Sequence, residues 1–245
     1  MDDITALHTA ARRYCLQRDR ELREAYSALL AAKRAYLPQP GGGWTYSEAA
    51  YDLYPRYNVV GAILREIESC APGDFRSLKA ARKALLGAAS APDTNAHPVA
   101  VAAELDERER YATFVASAPE GPAEPLPFRR VLTTAETSEW TNRVEARFGR
   151  WYGGVADRER GHMRTVAAGD YGDRTPIREA FAARGVERLL ELREHGASYE
   201  LDLELASFCY DGAESYWTTP GLGELVYVSH EDTLTFGGWI VDVLG

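Results

Sequence analysis

The apolar positions of the first half repeat with a helical period. Over residues 3–36, Ile4, Leu7, Ala11, Cys15, Leu22, Tyr26, Leu29 and Tyr36 fall at spacings of three, four and seven, which predicts one long amphipathic helix, or two that meet at the charged stretch QRDRELRE. PQPGGGW (38–44) stops it. Thr45 and Glu48 then have the T-x-x-E spacing of a capping box, so a short helix is expected over 48–54, ending before Pro55. Asn58 is placed to cap a further helix bearing Val59, Val60, Ile63, Leu64 and Ile67, which APGD closes. The pattern continues over 75–86 and again from Pro98, with Leu105, Tyr111, Phe114 and Val115.

APEGPAEPLP (118–127) carries four prolines and a glycine. Proline fixes φ and donates no ladder bond, so an extended connector is expected here. This sets a helical domain at 1–117, a linker at 118–127 and a second domain at 128–245.

In the second half the period changes. Thr133 and Glu136 form another capping box, ahead of a helix with Trp140, Val144 and Phe148 on one face and Gly149 at its end. RWYGGV and HMRTVAA are possible strands, and Thr175-Pro176 opens a short helix closed by Gly185. From there the alternation is two, predicting strands at about 186–194, 199–209, 213–219, 224–230 and 234–243. The fold class is α+β: a helical N-terminal domain, then an antiparallel sheet with helices packed on one face.

Register can be argued from turns. A two-residue loop at Asp211-Gly212 pairs Tyr210 with Ala213. It puts Glu200, Asp202, Glu204, Phe208 and Trp217 on one face, and Glu214 opposite Cys209. Pairing residue 194 with 199 adds Glu191 and Arg193 to the acidic face. The other face then carries Leu190, Leu192, Leu201, Leu203, Leu205 and Tyr216. A solvated outer face accounts for this alternation. Three carboxylates beside two large aromatics with no lysine among them also suit a surface that meets something basic.

Charge sharpens that expectation. The net charge is −9, and from Glu194 to the end ten acidic residues stand without a single Lys or Arg. Such a surface repels phosphate backbones and anionic lipids, so neither nucleic acid nor membrane is an expected partner. The arginines at 12, 13, 18, 20 and 23 are interleaved with Asp19, Glu21 and Glu24, the pattern of a solvated, salt-bridged helix surface. Three separated cysteines, no apolar leader and no membrane-length run suggest a cytoplasmic protein, and 25 Arg against 3 Lys suggest a GC-rich bacterial genome.

Candidate chemistry is sparse. YVSHED (227–232) sets His230 beside Glu231 and Asp232 at a strand end. With Cys209 and Glu214 it would supply the thiol, imidazole and carboxylate of an acyl-transfer site. No histidine or cysteine spacing suits zinc, and carboxylates in a straight row do not converge on calcium. No metal or cofactor is therefore expected. The function that fits best is a non-enzymatic acidic binding protein whose C-terminal sheet contacts a basic protein, as immunity or antitoxin-type proteins do. The other readings are a small-molecule enzyme using His230 with nearby carboxylates, at the strand ends or a domain interface, and self-association through the N-terminal helix.

Overall fold

The computed structural model describes residues 2–90, 97–118, 124–150 and 162–244. The chain is α+β and divides into two units, Met1–Leu126 and Pro127–Gly245.

The first unit holds helices α1 (Asp3–Ala31), α2 (Glu48–Glu68), α3 (Leu78–Ala88) and α4 (Pro98–Ser117), with a short hairpin of β1 (Tyr36–Pro38) and β2 (Trp44–Tyr46) between α1 and α2. The stripe of α1 is spent inside this unit. Leu7, Ala11, Cys15 and Leu22 pack on Val59, Val60, Ile63 and Ile67 of α2, with Leu85, Tyr111 and Val115 completing the core. Each such aliphatic side chain, once buried, contributes about 1.5–3 kcal/mol. The α1 helix is single and unbroken because its charged middle is bound on one side: Arg18 reaches Glu107 of α4 at 2.5 Å, and Arg12 reaches Glu68 of α2 at 3.1 Å. Only part of the arginine row is a solvated ladder, as in Arg23–Asp19 at 2.7 Å.

Residues 48–68 form one helix rather than two, and Pro55 lies inside it. Proline removes the amide that would bond the Tyr51 carbonyl, but Pro55 is itself buried and the flanking tyrosines pack Tyr54 against Tyr57 and Tyr46. The cap of α2 is Ser47, whose Oγ accepts from Ala50 N at 3.2 Å, since Thr45 is taken up by β2.

In the second unit seven antiparallel strands run in the order β3-β6-β5-β7-β8-β9-β4. They are β3 (Arg129–Val131), β4 (Met163–Ala167), β5 (Arg188–Arg193), β6 (Tyr199–Asp202), β7 (Ser215–Thr218), β8 (Glu224–Val228) and β9 (Thr233–Gly238). Helices α5 (Thr134–Phe148), α6 (Thr175–Ala183) and α7 (Ile240–Leu244) complete it. The expected capping box of α5 is present, Thr133 with Glu136. Of the two candidate strands before α6, HMRTVAA supplies β4, while RWYGGV lies almost wholly outside the described residues.

Helices cover both faces of the sheet, not one. Ile177 and Phe181 of α6 and Ile240 of α7 pack with Leu189, Leu201, Trp217, Val226 and Phe236. On the other side, Val144 and Phe148 of α5 pack with Leu190, Leu192, Tyr216, Leu225 and Tyr227. Strands β7 and β8 are buried at every residue, so their side chains need a cover on each face. At one sheet end Gly238 (φ 70°) is irreplaceable, because a Cβ there would stand 2.1 Å from the Gly223 carbonyl oxygen.

Candidate functional site at the acidic end of the sheet

The site begins with register. Strand β6 pairs with β5 and β3, and β7 pairs with β5 and β8, so the expected hairpin across Asp211-Gly212 does not form. The strand starting at Tyr199 ends at Asp202 and passes into a helical turn at Leu203–Leu205. Phe208 follows in the left-handed region at φ 49°, which no strand tolerates. With β6 moved away, β7 is free to take the other edge of β5.

The β5–β6 register is also three residues from the expected one, an odd slip that exchanges the faces. Leu190 opposes Glu200 and Glu191 opposes Tyr199, which puts Glu191 on the face opposite Glu200. Phe208 and Trp217 are therefore core, not surface: both have zero exposure, and their rings lie 5.5 Å apart. Of the predicted buried leucines, Leu201 is buried, Leu203 packs partly against that core, and Leu205 is exposed. The three carboxylates do not form an open row. Glu200 meets Arg130 at 3.1 Å, and Asp202 meets Arg188 at 3.0 Å while accepting from Phe128 N at 2.7 Å. Glu204 is exposed and lines, with Asp202, Arg178 and Arg188, an open groove of about 600 Å³.

The opposite end of the sheet is different. There the β5–β6 turn, the segment before β7 and the β8–β9 turn come together, as shown by the bond from Glu194 N to Glu214 O at 2.9 Å. Glu214 is buried and its carboxylate takes three donors: the Tyr227 hydroxyl, His230 Nδ1 at 2.5 Å and His230 N at 3.3 Å. The His230 side chain is 61% exposed. Because a carboxylate only accepts, Nδ1 carries the proton and Nε2 is left as the outward nitrogen. The β8–β9 turn that presents the ring is locked from Ser229 to Thr233 by backbone and hydroxyl bonds of 3.1 and 2.8 Å, with Asp232 in the left-handed position.

The electrostatics follow from these contacts. Burial pushes the Glu214 carboxyl up, but the bonds from Tyr227 and His230 outweigh it and hold the group below its ordinary value. His230 is raised, first by its bond to Glu214 and then by that carboxylate's charge, with Glu231 and Glu194 adding to it. The Tyr227 hydroxyl is pushed up by burial and by Glu214. Around this centre Glu231 and Asp232 are exposed. Arg193, the last arginine of the chain, is committed to Asp211 at 2.6 Å and Glu191 at 2.8 Å.

Two of the four catalytic candidates are thus joined, His230 to Glu214. Cys209 and Glu214 do not face each other across a hairpin, since no such hairpin exists, and Glu231 directs only its amide inward, to Ser229 Oγ at 3.1 Å. Among the described residues no group of three His, Cys, Asp or Glu converges as a metal site, and no helix is long and apolar enough to cross a membrane. Tyr227 and Glu194 are the members that sequence reasoning missed. The turn at Pro220–Gly223 held the signal for Tyr227: pairing Thr219 with Glu224 runs the register on to Tyr216–Tyr227 and brings residue 214 level with the SHED turn. No family model, curated protein or solved structure matches this chain.

Proposed function

We propose that the chain is an acidic, non-enzymatic binding protein that docks a basic protein at the His230 end of its C-terminal sheet. The observation that carries this reading is the placement of Glu194 and Glu231 beside His230, with Asp232 next in the same exposed turn, at a sheet end where Arg193 is already paired with Glu191 and Asp211. Exposed carboxylates such as Glu231 and Asp232, and Glu194 with the His195 imidazole 3.6 Å away, attract a cationic surface, speed its encounter and make it salt-sensitive. The locked β8–β9 turn presents them on a rigid support, so little ordering is needed on binding. The test is capture from extract of the source cell with wild type and with the Glu194→Lys/Glu231→Lys/Asp232→Lys variant, at low salt and above ~0.15 M, where charges are screened over about 8 Å. The reading expects basic proteins that the variant and the salt both release. Capture indifferent to both defeats it.

A second reading rests on the dyad itself. A buried carboxylate that fixes the Nδ1–H tautomer leaves Nε2 to take a proton, the arrangement of a general base. The raised His230 then predicts ester hydrolysis that grows as pH rises above 6.5 and is lost in both His230→Ala and Glu214→Gln. Hydrolysis no faster than free imidazole in buffer removes this reading.

A further inference from the structure

The helical unit exposes its own apolar surface. Trp44 is 70% exposed, Leu37 50%, Tyr36 42% and Leu30 41%. Leu30, Lys33, Ala35, Tyr36 and Trp44 line a groove of about 530 Å³. At these exposures the three large side chains of the groove, Leu30, Tyr36 and Trp44, present roughly 300 Å² of apolar surface, a substantial part of the about 800 Å² per partner of a standard interface, while Leu37 lies on the other face of the hairpin.

The backbone beside this patch says what can cover it. Bonds from Gln39 N to Gly43 O at 3.1 Å and from Ser47 N to Ala35 O at 2.9 Å fix the hydrogen-bonded pairs of the β1–β2 ladder. With Leu37 opposite Thr45 in the same register, Tyr36, Pro38, Trp44 and Tyr46 turn their backbone groups away from the hairpin. The two outer edges are not equal. On β1 the edge is blunted by Pro38, which has no N–H. On β2 both Trp44 and Tyr46 offer an N–H and a C=O, and no charged residue occurs from Tyr36 to Tyr46 to guard them.

We infer that β2 pairs antiparallel with β2 of a second copy of this chain, about a two-fold axis at Thr45. This register lets Trp44 of each copy exchange both bonds with Tyr46 of the other, so all four outward groups of each edge are satisfied. The hairpins join into a four-stranded sheet with Trp44, Tyr46 and Tyr36 of both copies on one face. An edge with outward N–H and C=O groups is a template for pairing with another chain, and here only its three-residue length guards it. A second copy suits the edge because the two-fold register sets Trp44 of each copy directly opposite Tyr46 of the other, two aromatic cross-strand pairs with no charge between residues 36 and 46 of either copy.

The register gives a sharp test. Thr45 meets its own copy in a non-hydrogen-bonded pair, with Cβ atoms about 4.5–5.5 Å apart. Sedimentation of the full chain at high-micromolar concentration is expected to give the mass of two chains. Thr45→Lys and Thr45→Glu, each confirmed folded by circular dichroism, are each expected to give one chain, and their equimolar mixture two. Thr45→Cys is expected to yield a disulfide-linked dimer under mild oxidation that wild type does not form. A wild-type monomer overturns the inference, as an extended peptide of another protein would then be the occupant of β2. So does a dimer that Thr45→Lys leaves intact, or a Lys/Glu mixture that stays monomeric.

Discussion

Both units bury carboxylates, but they meet them with different chemistry. In the helical unit Glu107 has no exposure and is held by Arg18 and Arg56, and Glu68 is held by Arg12. In the sheet unit Glu214 is held by Tyr227 and His230, and Glu224 by Thr219 N at 2.8 Å and Trp239 Nε1 at 2.7 Å. The difference follows from the sequence. Helical arginines can lay their stems along a neighbouring helix and reach an inward acid, whereas past Glu194 no Lys or Arg remains to do so. The helical unit therefore holds Glu68 and Glu107 as ion pairs, and the sheet unit holds Glu214 and Glu224 by hydrogen bonds, one donor being an imidazole, with Glu191 on Arg193 as its one ion pair among these buried acids. Tryptophan is placed in the opposite sense, with Trp217 in the sheet core and Trp44 in solvent.

The tryptophans give the largest expected contrast. Trp217→Ala removes the largest fully buried side chain, at the centre of the core beside Phe208, and is expected to cost about 3–5 kcal/mol in denaturant unfolding. Trp44→Ala should cost less than about 1 kcal/mol when measured on the monomer, since it leaves no cavity. Equal losses would show that the two units do not differ in this way.

Exchanging each buried acid for its amide sharpens the comparison. Glu107→Gln leaves Arg18 and Arg56 facing a neutral group and should cost about 2–3 kcal/mol. Glu224→Gln keeps an oxygen acceptor for Thr219 N or Trp239 Nε1 and should cost about 1 kcal/mol, that of one weakened bond. Unfolding midpoints of the two variants, compared at one pH, decide it.

The histidines should respond to pH in opposite directions. His8 donates from Nε2 to the Ile67 and Cys70 carbonyls at 3.0 Å in a buried site, and burial lowers it below 6.5. Its contribution is present above 6.5 and is lost as pH falls toward the folded value. His230 is raised above 6.5 by Glu214, so its contribution is full below 6.5 and is lost as pH rises through the raised value. Glu214, lowered from 4.5, adds the acid limit: its share is present above 4.5 and lost below. The His230–Glu214 contact should thus be strongest between 4.5 and 6.5. Ring-proton titration by NMR checks it, with one histidine moving below 6.5 and the other above.

The two units also differ in how legible they were. A helix declares its buried face through spacing, so the stripe of α1, the cap of α5 and the period change after the proline-rich stretch follow from residues in order. What spacing does not carry is reach: nothing in QRDRELRE says that Arg18 finds Glu107, 89 residues away. In the sheet, alternation located strands but not their neighbours. Phe208 looked like a strand residue because the apolar parity continues through SFCY, while its positive φ breaks the strand there. One misplaced hairpin then carried Trp217 to the wrong face, because a register error moves every side chain it touches. The His230–Glu214 contact was half visible, through the SHED turn, and hidden by the same error.

The smallest expected effect concerns the acidic alternation itself. Glu200 is partly exposed and shares Arg130 with Glu136, which holds that guanidinium at 3.0 Å. Removing Glu200 leaves Arg130 paired, so no buried charge is orphaned. Glu200→Gln should therefore cost less than about 1 kcal/mol, the range of half-exposed ion pairs, and the cost should shrink further in salt. Glu136→Gln should cost more than Glu200→Gln, because Glu136 also accepts Thr133 N at 2.8 Å in the capping box of α5 and is lowered to about 2 by Arg130 and that amide. The order of the two variants in thermal unfolding is the measurement. If Glu200→Gln proved the costlier, the carboxylates of β6 would be holding the sheet edge, and the charge available to a partner would have to be sought wholly at the His230 end.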